Sequence, residues 1–171
     1  MKISVIGYSG SGKSTLAAAL GRRYGAEVLH LDRVKFGPGW ADRPREVMLR
    51  EVEEFLSTRQ DWVIDGNYSD LLHDRRMAES DRIYFLDFGR WTCLGRALRR
   101  WWRNRGQTRP SMAEGCVEKI DAEFFWWLVW SGRTPARRAR FTRVVRRWGN
   151  KVTVVKNQRA LTRLYQREGL V

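Results

Sequence analysis

Cysteine, proline and histidine are all scarce in this chain of 171 residues, with two, four and two copies respectively. Cys93 and Cys116 lie far apart and lack the paired spacing of metal ligands. They argue against a disulfide scaffold and against a thiolate zinc site, and read as two free thiols of a reducing compartment. His30 and His73 are too isolated to define a metal centre. Long apolar runs are missing too. The densest, Phe124 to Trp130, spans seven residues, against the roughly 20 that cross a bilayer. The opening Met1-Lys2-Ile3-Ser4-Val5-Ile6-Gly7 is interrupted too early for a secretory leader. The expectation is a cytoplasmic protein with no transmembrane segment. Acidic residues are outnumbered, 19 against 33 basic, for a net charge of +14. A balance of that size implies an anionic partner without saying which.

What is present is a globular composition, 43% hydrophobic and 30% charged, long enough for one domain over 1–171 with a substantial core. Near the start stands Gly7-Tyr8-Ser9-Gly10-Ser11-Gly12-Lys13-Ser14, which fills every fixed position of the phosphate-binding pattern G-x-x-x-x-G-K-[ST]. An apolar run, Lys2 to Ile6, precedes it, and a helical pattern with Leu16, Ala17 and Leu20 follows. In that setting Gly7, Ser9, Gly10, Ser11 and Gly12 would aim successive backbone amides and a helix N-terminus at one anion. Lys13 would reach the β- and γ-phosphates of ATP, and Ser14 would sit on Mg²⁺, with Thr15 beside it in the first helical turn.

Further along, short apolar runs predict strands at Glu27–Leu31, Trp62–Ile64, Arg82–Leu86 and Lys151–Val155. Periodic segments between them predict helices over Lys13–Arg23, from Pro44 past Leu56, Trp91–Arg103, Val117–Trp130, from Pro135 to Trp148 and Ala160–Arg167. The alternation is that of a three-layer α/β/α fold built on a parallel sheet.

Ligands of such sheets sit at the carboxyl ends of the strands. Asp65 follows the third run and is placed to hold Mg²⁺ with Ser14. Asp32 follows the second and is a candidate base, or positioning group, for a substrate hydroxyl. Of the +14, +11 lies between Gly89 and Trp148, where 14 arginines and one lysine face four acids. Arg99 and Arg103 share a helical face, and Arg105 and Arg109 continue into an irregular stretch with Pro110 and Gly115. Arginines closing over a transferred phosphoryl group would stabilise its charge and exclude water. Arg137, Arg138, Arg143, Arg146 and Arg147 read as the solvated side of their helix. The interleaved tryptophans fit helix faces packed in a core or against a second copy in a homodimer.

These residues resemble the small P-loop kinases of the adenylate kinase and shikimate kinase type. The chain is most similar to the bacterial "DNA topology modulation" proteins, which are related to adenylate kinase. The resemblance rests on Gly7–Thr15, on Leu31-Asp32 with Gly39-Trp40, and on Trp62-Val63-Ile64-Asp65-Gly66-Asn67-Tyr68. It also rests on Arg109-Pro110-Ser111-Met112-Ala113-Glu114-Gly115-Cys116 leading to Glu118. It implies a P-loop NTPase fold with a five-stranded parallel sheet in the order 2-3-1-4-5. It also implies an arginine-bearing lid at about 103–117 and an acceptor site near Asp32 and Asp65-Gly66. Phosphate contacts would come from Arg99, Arg103 and Arg109, and adenine contacts from the loop Lys156-Asn157-Gln158. Adenylate kinases carry a Pro-Arg pair soon after the Asp-Gly, where this chain has Asn67-Tyr68, so AMP is not the implied acceptor. The expected activity is Mg²⁺-dependent phosphoryl transfer from ATP to a nucleotide, nucleoside or other small metabolite. The alternative is a nucleic-acid-binding ATPase that grips a phosphate backbone with its basic, Trp-rich helices.

Overall fold

A computed structural model describes residues 1–103 and 122–170 of the chain. Five strands form one parallel sheet: β1 (Lys2–Gly7), β2 (Glu27–His30), β3 (Trp62–Asp65), β4 (Arg82–Leu86) and β5 (Val152–Val155). Their order is β2-β3-β1-β4-β5, the order implied by the resemblance. Every residue from Ile3 to Gly7 is buried, as are all four of β3 and the last four of β4. Alternate side chains of a strand point to opposite faces, so helices must cover both sides of the sheet's centre.

The helices are α1 (Lys13–Tyr24), α2 (Leu31–Lys35), α3 (Arg45–Thr58), α4 (His73–Glu79), α5 (Arg90–Arg103), α6 (Ala122–Val129), α7 (Pro135–Trp148) and α8 (Gln158–Glu168). Leu16, Ala17 and Leu20 of α1 pack with Ile3, Val5, Phe85 and Leu86 in the main core, which Leu128, Val129, Val144 and Leu164 complete. A second cluster forms where Met48, Val52, Phe55 and Leu56 of α3 close on Trp62, Ile64, Leu31 and Leu71. Trp62 alone among the tryptophans is wholly buried; Trp127 and Trp148 pack on the core, while Trp91, Trp102, Trp126 and Trp130 are exposed. The aromatic stretch is therefore divided between core and surface. Among the described residues no helix is long and apolar enough to cross a membrane.

Two helices, α2 and α4, have no counterpart in the periodicity. At five and seven residues they are too short to display a repeat. β2 consequently stops at His30, and Asp32 sits in the first turn of α2 rather than after a longer strand. Of the segment expected from Val117, α6 is described from Ala122; residues 104–121, including Arg105, Arg109 and most of the expected lid, lie outside the described residues.

The register sets up the site. Val5 and His30 both pair with Asp65. The carboxyl ends of β2, β3 and β1 thus finish side by side, with the phosphate loop leaving β1, the central strand of the five.

Candidate phosphate and acceptor site

Three glycines give the loop after β1 its shape. Gly7, Gly10 and Gly12 have φ of 145°, 73° and 97°, a region that costs a side chain strain. At two of them there is also no room. A Cβ on Gly7 would lie 2.5 Å from the Leu86 carbonyl oxygen, and one on Gly10 would lie 2.5 Å from that of Cys93. The loop is seated on backbone, which cannot yield as a side chain could. Ser11 N–H donates to the Tyr8 carbonyl at 3.2 Å, and α1 starts at Lys13.

The N-terminus of α1 is built for an anion. Among the described residues it has no side-chain cap and no acid in its first turn, whereas α7 and α8 are capped by Thr134 and Asn157. Its first amides are left for a ligand. Lys13 lies folded over the loop, its Nζ donating to the Tyr8 carbonyl at 3.1 Å. Ser9 and Ser14 are half-buried and Thr15 is exposed. Ser11 is buried, and its hydroxyl has no partner among the described residues.

Asp65 is 4% exposed. One carboxylate oxygen meets His30 Nδ1 at 2.9 Å, and the other has no partner among the described residues. A buried carboxylate oxygen without a donor suits a cation, which fits the expected Mg²⁺ position. Asn67, two residues on, grips the first loop glycine from both sides. Its Oδ1 accepts from Gly7 N–H at 3.0 Å and its Nδ2 donates to the Gly7 carbonyl at 2.6 Å. Tyr68 then donates its hydroxyl to Asp32 Oδ1 at 2.8 Å. Burial, then the Asp32 charge beside it, pushes the Tyr68 hydroxyl far above its ordinary pKa. It remains a donor, and it engages one of the two Asp32 oxygens.

The stretch 66–71 is held from beneath by Arg76, which is fully buried. Its guanidinium donates to the carbonyls of Leu71 at 2.8 Å, Gly66 at 3.4 Å and Tyr68 at 2.5 Å. Burial lowers its pKa to about 10, against a smaller upward pull from Asp70, so it is a cation at neutral pH. An arginine in a seven-residue helix gives no sequence signal of this role.

A cavity of about 890 Å³ joins these parts, running from Ser9 and Lys13 past Asp32, Gly66, Asn67 and Tyr68 to the inner face of α7. Arg137, Arg140, Arg143 and Arg147 line it. The arginines of this helix are exposed, as expected of a solvated face, and four of them, Arg137, Arg140, Arg143 and Arg147, also border the cavity.

Arg99 and Arg103 are exposed on α5 and do not line this cavity. An arginine of α5 that does meet the phosphate loop is Arg96, about one turn earlier. It donates to the Ser11 carbonyl and to Gln158 Oε1, both at 2.6 Å, with its guanidinium over the Phe88 ring. It thus braces the loop after β5 against the phosphate loop. In that loop Lys156 is exposed, and Asn157 is occupied as the cap of α8, accepting from Ala160 N–H at 2.9 Å. Arg133 is a further brace that the sequence did not reveal. It lies over the Tyr8 ring at 3.9 Å and donates to the Phe88 carbonyl at 2.9 Å.

No family model matches this chain, and no curated protein matches it. Solved structures do. A deoxyadenosine kinase from M. mycoides with bound dCTP superposes over the whole of both chains with a TM-score of 0.54 at 14% identity. A gluconokinase from Sinorhizobium meliloti 1021 matches 99% of this chain and 89% of its own at 0.54 and 18%. TT1252 from Thermus thermophilus matches 98% and 97% at 0.53 and 17%. Likeness at such identities is likeness of fold, and the fold is that of the P-loop kinases. The closer resemblance to the topology modulation proteins rests on the sequence motifs alone.

Proposed function

We propose that this protein is an ATP-dependent phosphotransferase acting on a small acceptor. The supporting observation is the single cavity that runs from Lys13 and Ser9 to Asp32, because a donor phosphate and an acceptor hydroxyl must meet in one dry space. The amides from Ser9 to Ser14 and the open N-terminus of α1 hold the β- and γ-phosphates. Lys13 leaves the Tyr8 carbonyl to reach them. Mg²⁺, where bound, would be held by Ser14 and Asp65 and would neutralise phosphate oxygens.

The acceptor oxygen attacks the γ-phosphorus in line, a new P–O bond forms and the bond to the β-phosphate oxygen breaks, releasing ADP. The acceptor's proton passes to Asp32, which Tyr68 keeps oriented. Arg103 and Arg109, with Arg99, remain candidates for charge stabilisation at the lid, and Lys156 and Asn157 for adenine contact. Replacing Lys13 with Ala is expected to lower kcat at least 100-fold with the fold intact by circular dichroism. Wild-type ATP turnover in that variant would overturn the reading. Retention of nucleic acid at about 150 mM salt, with ADP release unaffected by every small acceptor, would favour the nucleic-acid-binding ATPase instead.

A further inference from the structure

The wall of the cavity opposite the phosphate loop is more cationic than a neutral acceptor needs. Six cationic side chains line the cavity, Lys13, Arg75, Arg137, Arg140, Arg143 and Arg147, against three carboxylates, Asp32, Asp70 and Asp74. Once Lys13 and Asp32 are set aside for the transfer itself, five cations face two acids. The remaining lining histidine, His73, adds no charge at neutral pH, since burial and then the Arg76 charge hold its pKa below the ordinary value.

The four arginines of α7 fall at helical spacing, so they form one row beside Phe141, Val144 and Trp148. From Arg137 to Arg147 that row is about 15 Å long at the usual rise of 1.5 Å per residue. Its two bridges to the opposite wall are weak. Arg140 donates to Ser69 Oγ and Arg147 to Asp74 Oδ2, each at 3.2 Å, and Asp74 is largely exposed. Arg137 rests over the Trp127 ring at 6.0 Å, and Arg143 makes no ion pair among the described residues. Arginines kept together at a cavity wall repel one another, and an anion that offers two oxygens to each planar fork relieves that repulsion.

We infer that the acceptor is itself a phosphate-bearing molecule, its phosphate held by Arg140 and Arg143 of α7 while its hydroxyl or phosphate oxygen faces Asp32. This rests on the phosphotransferase reading and narrows it. The apolar part of such an acceptor lies along Phe141 and Trp148. A neutral nucleoside, of the kind named for one structural neighbour, would leave the row uncompensated.

The test separates the two readings. With the phosphate loop saturated by Mg²⁺ and a non-hydrolysable ATP analogue, inorganic phosphate, pyrophosphate and the nucleoside 5′-monophosphates are titrated against tryptophan fluorescence. At least one of these anions should bind the wild-type protein, and the Arg140→Ala/Arg143→Ala double variant should bind it at least tenfold more weakly. Its affinity for the ATP analogue should stay within twofold. In turnover with ATP, phosphorylated acceptors should exceed their neutral partners at least tenfold in kcat/KM, and the double variant should lose this through KM. No anion bound by the filled wild-type protein, equal binding by the double variant, or preference for a neutral acceptor would each overturn the inference. Failure to bind the ATP analogue would instead overturn the phosphotransferase reading itself.

Discussion

At the scale of single residues, Arg76 is the side chain whose loss should be felt most widely. It satisfies three carbonyls of the 66–71 stretch from a fully buried position. Arg76→Ala strands those carbonyls and opens a void, and should cost about 3 kcal/mol of stability. Chemical denaturation should register it as a lower midpoint. Lysine should rescue little, because one ammonium cannot reproduce the three-way fork. A midpoint unchanged by Arg76→Ala would mean that water readily replaces the guanidinium. The loop glycines and Lys13 were legible in the sequence because they belong to a spaced pattern, and Asp32 and Asp65 because each follows an apolar run. Arg76, Asn67 and Arg96 were not, because their work is hydrogen bonding to backbone, which no residue pattern marks, and for Asn67 and Arg96 that backbone is far away in sequence. Gly7 and Asn67 are separated by 60 positions, and nothing in residue type announces such a pairing.

At the scale of elements, all five strands were readable as apolar runs, and the long helices as periodic ones. The two short helices were not, because one or two turns carry no measurable period. The docking of α8 shows how an element's position acquires a pH dependence. Glu168, at the end of α8, is buried. Burial alone would raise its pKa, but the hydrogen bond from Tyr24 and the charge of Arg82 outweigh this and hold it below 4.5. A carboxylate whose folded pKa is depressed adds stability above its unfolded pKa and loses it as pH falls through the folded one. Stability should therefore decline on the acid side of pH 4.5 in the wild type, and Glu168→Gln should flatten that decline while lowering stability at pH 7. Thermal unfolding at a series of pH values measures both. Equal acid slopes in the two proteins would exclude Glu168 as a source.

For the molecule as a whole, the order of the strands brings three carboxyl ends together and so places the phosphate loop beside Asp65 and His30. A ligand that binds only this assembled edge must stabilise the fold. At 100 times its dissociation constant it adds about 2.7 kcal/mol, and for a chain of this size that is a rise in Tm of roughly 5–10 °C. Mg²⁺-ATP should produce such a rise, and Lys13→Ala should remove most of it. An unshifted Tm in the wild type at saturating nucleotide would contradict donor binding at this edge.

Asn67 has one further consequence. It holds Gly7 by both backbone groups, and its neighbour Tyr68 holds Asp32, so three covalently distant pieces share a single mechanical joint. Whatever one substrate gains by straightening that joint, the other gains equally, since thermodynamic reciprocity admits no favourite. Saturating acceptor should tighten ATP about fivefold or more, with the identical factor in the opposite direction. Asn67→Ala should let the two substrates ignore each other.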